Sequence, residues 1–96
     1  MDSQASTRAE VVERDGGLCI FCGRQGESVH ELIPRSSFGK NRKHLAFEVK
    51  NRCVVCTTCH AYAHNWVWRE RGLRILQKRH GYTYEEPRYR TVLDRT

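Results

Sequence analysis

The 96 residues suffice for one domain with a small core, so a metal staple is a plausible part of its stability. Seventeen Lys and Arg against 11 Asp and Glu give a formal charge of +6, which points to an anionic partner, with nucleic acid foremost. No apolar run approaches the roughly 20 residues needed to cross a bilayer, which argues against a membrane role; five cysteines, an odd number, behind an N-terminus without the apolar stretch of a secretory signal argue for metal-bound thiolates in a reducing cytoplasm rather than disulfides.

In chain order, residues 1–5 read as a disordered start. Ser6 or Thr7 then caps a short helix running to Arg14, which turns Val11 and Val12 inward and ends at Gly16-Gly17. Cys19-Ile20-Phe21-Cys22-Gly23 reads as a metal knuckle. Residues 28–33 read as a strand stopped by Pro34, residues 35–48 as a polar, basic loop, and residues 51–55, rich in β-branched side chains, as a second strand. From Thr57 the pattern turns helical, with Thr57 or Thr58 as the cap and His64 still on the helix. A last helix over residues 66–80 ends at Gly81, with Gly72 marking a break or bend, and residues 85–96 read as an extended tail around Pro87. These elements divide the chain into an N-terminal helical segment (1–18), a core (19–66), a C-terminal helix (67–82) and an extended tail (83–96).

Two Cys-x-x-Cys pairs supply four thiolates, a full tetrahedral shell for a structural zinc. The second pair is ambiguous, because Cys53, Cys56 and Cys59 make two overlapping pairs. Val54 and Val55 favour an extended chain between Cys53 and Cys56, whereas Thr57-Thr58 lies where the strand gives way to the helix and a tight turn is natural. The expected zinc ligands are therefore Cys19, Cys22, Cys56 and Cys59, with Cys53 a small core residue. The histidines are left over. His60 and His64, four apart on the expected helix, share a face, and His30 comes from the first strand. Three histidines leave positions open on an ion, as a catalytic site requires.

The series Cys19-x-x-Cys22-Gly23, Val29-His30-Glu31-Leu32-Ile33-Pro34-Arg35-Ser36, Asn51 and Cys56-x-x-Cys59-His60-x-x-x-His64 resembles the HNH endonucleases over residues 19–64, and among them phage members with a four-cysteine zinc site. The resemblance implies an α+β fold: a small zinc-stapled ββα-metal (HNH) domain with flanking helices. It also implies a structural Zn²⁺ and a catalytic divalent ion, Mg²⁺, Mn²⁺ or another. By position His30, His60 and His64 are the implied ligands of the catalytic ion, and Asn51 the residue that pins the long loop. Glu31 falls where the family usually has a histidine as general base. A carboxylate with a pKa of about 4.3 is a poor proton acceptor at neutral pH unless burial raises it, so His30 stays open as an alternative base and His44, in the basic loop, as an outside candidate.

Arg35, Lys40, Arg42, Lys43, Lys50 and Arg52 are expected to contact DNA phosphates around the site, while the cations of the last helix fit a solvated face as well as a DNA-binding one. The implied activity is metal-dependent hydrolysis of DNA phosphodiester bonds, with DNA and, for a phage protein, terminase subunits as partners in the host cytoplasm. The alternatives are a non-catalytic zinc module that binds nucleic acid and, more weakly, a zinc knuckle for protein interaction.

Overall fold

A computed structural model describes residues 3–94. The described residues form an α+β domain of four α-helices and one two-stranded sheet: α1 (Ser3–Asp15), β1 (Ser28–Glu31), β2 (Arg52–Val55), α2 (Thr57–Tyr62), α3 (Trp66–His80) and α4 (Pro87–Leu93). The chain expected to be disordered at 3–5 is already helical, and residues 1–2 lie outside the described residues.

β1 and β2 run antiparallel, with Ser28 opposite Val55, His30 opposite Cys53 and Glu31 opposite Arg52. β2 is buried along its whole length. One side is covered by α1, locked by a charged pair at its last turn. Arg14 is ion-paired with Asp15 at 2.8 Å and also donates to the carbonyls of Val49 (2.6 Å) and Arg52 (2.7 Å), while Asp15 accepts from the Val54 N–H at 2.9 Å. On the other side Cys53 and Val55 join Leu32, Ile33, Leu73, Leu76 and the C-terminal Tyr84, Tyr89, Val92 and Leu93 in the main core.

α3 is continuous through Gly72, where a break or bend was expected. The glycine serves close approach instead: a Cβ there would meet Leu32 Cδ2 at 2.5 Å and Phe21 Cζ at 3.2 Å. Asn65 caps α3, its Oδ1 accepting from the Val67 N–H at 2.8 Å, and Gly81 closes it in the left-handed region at φ 72°. Because Asn65 must be extended to cap, α2 ends at Tyr62, and His64 lies in the turn between the helices rather than on α2 as expected. The cap of α2 is Cys56, not Thr57 or Thr58; its sulfur accepts from the Cys59 N–H at 3.4 Å.

Two further expectations are corrected. The loop between the strands contains short 3₁₀ turns at Arg35–Ser37, Lys43–Phe47 and Val49–Asn51, and it packs inward through Phe38 and Ala46. The expected extended tail holds α4, which starts at Pro87 and buries Tyr89, Val92 and Leu93 at helical spacing; residues 95–96 lie outside the described residues.

Candidate metal centres

Two clusters of donor groups sit on either side of the start of α2. In the first, the sulfurs of Cys19, Cys22, Cys56 and Cys59 all lie within 4.8 Å of one another, with Cys22 and Cys56 Sγ 3.6 Å apart. The first knuckle turns tightly: Gly23 N–H donates to the Cys19 carbonyl (2.9 Å), Cys19 N–H to that of Arg24 (2.8 Å), and Gly23 takes the positive φ of 78° the turn needs. It is tied to the sheet by Ile20 N–H donating to Val54 O at 3.1 Å. The second half is the end of β2 and the first turn of α2. Donation from the Cys59 N–H brings the Cys56 thiol down to about 7, favouring the thiolate that metals bind, whereas burial pushes Cys59 up. Four sulfurs in this arrangement can hold a structural metal such as zinc. Cys53 stands apart from them, fully buried on β2, and burial raises its pKa as expected of a core thiol.

In the second cluster, one ring nitrogen each of His30, His60 and His64 lies within 4.8 Å of the others, with ring centroids 4.9–5.7 Å apart. His30 projects from β1, His60 from α2 and His64 from the turn after it. Ser28, two residues from His30 on the same strand face, meets His60 Nδ1 through its hydroxyl at 3.3 Å, which fixes that ring's orientation. His30 is the buried member. Burial first, then the neighbouring His60 and His64, lower its pKa to about 4, so it is neutral at physiological pH, the state a metal ligand needs. Its Nε2 is buried without a hydrogen-bond partner among the described residues. A buried ring nitrogen left so is costly, and three converging imidazoles could hold a metal ion.

The remaining expected site residues divide sharply. Asn51 is fully buried and accepts from the Ile33 N–H at Oδ1 while donating through Nδ2 to the carbonyls of Ile33 and Ala46, each at 2.9 Å. It staples both ends of the inter-strand loop, and none of these hydrogen bonds goes to the histidine cluster. Glu31 is not among the clustered donors, because neighbouring strand residues face opposite ways. It nonetheless lines the open cleft beside His30 and His64, together with Pro34, Arg35 and Arg69. His44 is exposed on the loop and takes no part in the cluster.

Of the six cations expected around the site, only Arg35 lines this cleft. Lys40, Arg42 and Lys43 are exposed, but the loop folds towards α4, with Phe38 against Tyr89 at 5.9 Å, and Arg42 faces a hollow shared with Pro87 and Arg88. Lys50 is committed elsewhere, paired with Glu86 at 2.7 Å and bonded to Thr83 O at 3.3 Å. Arg52 is 1% exposed, donates to Thr7 Oγ1 at 2.9 Å and lies over the Phe47 ring; it is an internal strut between β2 and α1, not a phosphate contact. The cleft residue that sequence reasoning passed over is Arg69. It was grouped with the other cations of the last helix, and only the turn at residues 63–65 brings it beside His64.

The chain matches no protein-family model, no curated protein and no solved structure.

Proposed function

We propose that the protein is a metal-dependent endonuclease of the HNH type that hydrolyses DNA phosphodiester bonds. The observation that carries this reading is the second cluster: three imidazoles converge, two of them, His30 and His64, lining an open, arginine-flanked cleft, with the buried Nε2 of His30 unpartnered among the described residues. The four-cysteine site supports it indirectly, since Cys56 caps α2 and Cys59 precedes His60, so a metal there fixes the helix that presents His60. A divalent ion on His30, His60 and His64 would supply Lewis-acid stabilisation of the charge that builds on the scissile phosphate and its leaving oxygen.

The chain's own residues do the rest. Glu31, in the cleft but outside the ligand set, takes the proton of the attacking water as its oxygen bonds to phosphorus and the bond to the 3′ oxygen breaks. Asn51 holds the loop, and with it the exit of β1, in place. Arg35 contacts a phosphate at the rim, and the net charge of +6 draws the duplex in. For a phage protein, terminase subunits are the partner the HNH resemblance implies.

The test is plasmid cleavage across Mg²⁺, Mn²⁺, Ni²⁺ and Zn²⁺ beside a His60→Ala control. Wild type should nick in at least one metal, EDTA should stop it, and His60→Ala should be inactive yet folded. Salt-sensitive DNA binding with no cleavage in any metal would select a non-catalytic zinc module instead.

A further inference from the structure

The cleft holds a second unsatisfied group. Arg69 lies in the first turn of α3, and its Nε is buried without a hydrogen-bond partner among the described residues. Its guanidinium sits 4.8 Å from the centroid of the Trp66 ring, so one face rests on an aromatic surface. Two other arginines, by contrast, are matched to carboxylates: Arg74 is paired with Glu70 at 2.9 Å and Arg14 with Asp15. Burial lowers the pKa of Arg69 with no carboxylate to offset it, yet a guanidinium stays charged. The result is a stacked, partly desolvated cation with an unused donor, lining the same cleft as His30, His64 and Arg35.

We infer that Arg69, with Arg35, forms an oxyanion site on the rim of the histidine cleft that binds the non-bridging oxygens of a phosphate ester. The inference rests on the nuclease reading for which ester this is, but not for the site itself. A guanidinium is a planar fork that matches tetrahedral phosphate oxygens, and a donor already stacked and partly stripped of water needs little reorganisation when charge develops. A purely packing role on Trp66 would account for the stacking but would leave the buried Nε without its acceptor.

Trp66 gives a direct readout. In a Trp68→Phe background Trp66 is the sole tryptophan. Inorganic phosphate titrated into the full zinc-loaded chain should change its emission saturably, where chloride at matched ionic strength does not. Arg69→Gln should abolish that response and Arg69→Lys weaken it, because an ammonium restores charge without the fork. In plasmid nicking, Arg69→Gln should lower kcat by about 10²–10³-fold, the usual cost of removing one such donor. KM should hold within a few-fold, since duplex binding is spread over many phosphates. Cobalt bound at the histidines should keep its visible spectrum. A wild-type chain indifferent to phosphate, or an Arg69→Gln variant that keeps the response and the rate, overturns the inference, as does an equal loss in all variants with an altered cobalt spectrum. A normal phosphate response in a protein that nicks in no metal keeps the oxyanion site and removes the nuclease reading.

Discussion

Glu31 is pulled two ways by its place on β1. Its register partner is Arg52, whose buried guanidinium gains from a nearby carboxylate, while its own side chain also lines the histidine cleft. A proton acceptor is best placed beside a metal without binding it, and of the two carboxylate roles that one needs access to the cleft. Glu31→Gln keeps the shape and removes the acceptor. Its cleavage rate at saturating Mg²⁺ should fall by about 10²–10⁴-fold, the typical contribution of a positioned base, with a urea midpoint lowered only by the loss of the charge near Arg52. Glu31→His should keep or raise the rate, since imidazole titrates nearer neutrality. A lower urea midpoint with a wild-type rate in Glu31→Gln would make the residue a counter-charge to Arg52 and nothing more.

At the scale of elements, α3 depends on one missing side chain. Gly72 lets the helix settle onto Leu32, which is fully buried two residues from His30. Gly72→Ala would improve helix propensity by about 1 kcal/mol but put a methyl 2.5 Å from Leu32 Cδ2. Overpacking of this kind costs roughly 1–3 kcal/mol, so the variant should unfold at lower urea and bind cobalt at the histidines more weakly, both measurable on one sample. An unchanged urea midpoint would mean that Leu32 yields without consequence.

The termini of α3 were legible in the sequence because its signals are local: Gly81 past the last turn and a run of helix formers before it. So were the second strand, from its β-branched residues, and the first, from its stop at Pro34, though it ends at Glu31 rather than Ile33; the cysteines and histidines group as their spacing implies. Gly72 could not be read correctly, since its reason is a contact with Leu32 forty positions away in the chain. The fates of Lys50 and Arg52 are tertiary in the same sense: a cation looks alike in sequence whether it ends against Glu86, over Phe47 or in solvent. α4 was readable and was passed over. Pro87 at a first helical position followed by Tyr89, Val92 and Leu93 is a helix start with an apolar face, but a proline near a chain end invites an extended reading.

The whole molecule turns on the four cysteines. They join the knuckle at residues 19–23 to the end of β2 and the start of α2, adding to the Ile20–Val54 backbone bond that already ties the knuckle to the sheet. A 96-residue chain with a two-stranded sheet has a small core, and metal binding energy at such a site is also folding energy. Removing the metal with a strong chelator should therefore unfold the domain, seen as loss of far-ultraviolet circular dichroism, and the histidine cluster should disperse with it because His60 follows Cys59 on α2. The overlapping pair gives the discriminating substitutions. Cys59→Ser removes a clustered sulfur and should abolish stoichiometric zinc and the folded signal. Cys53→Ala should keep one zinc per chain and lose about 1 kcal/mol, an ordinary cost for trimming a buried side chain. Metal analysis of the two purified variants decides between them: zinc retained in Cys59→Ser and lost in Cys53→Ala would move the ligand from α2 to β2 and break the link between clamp and histidines.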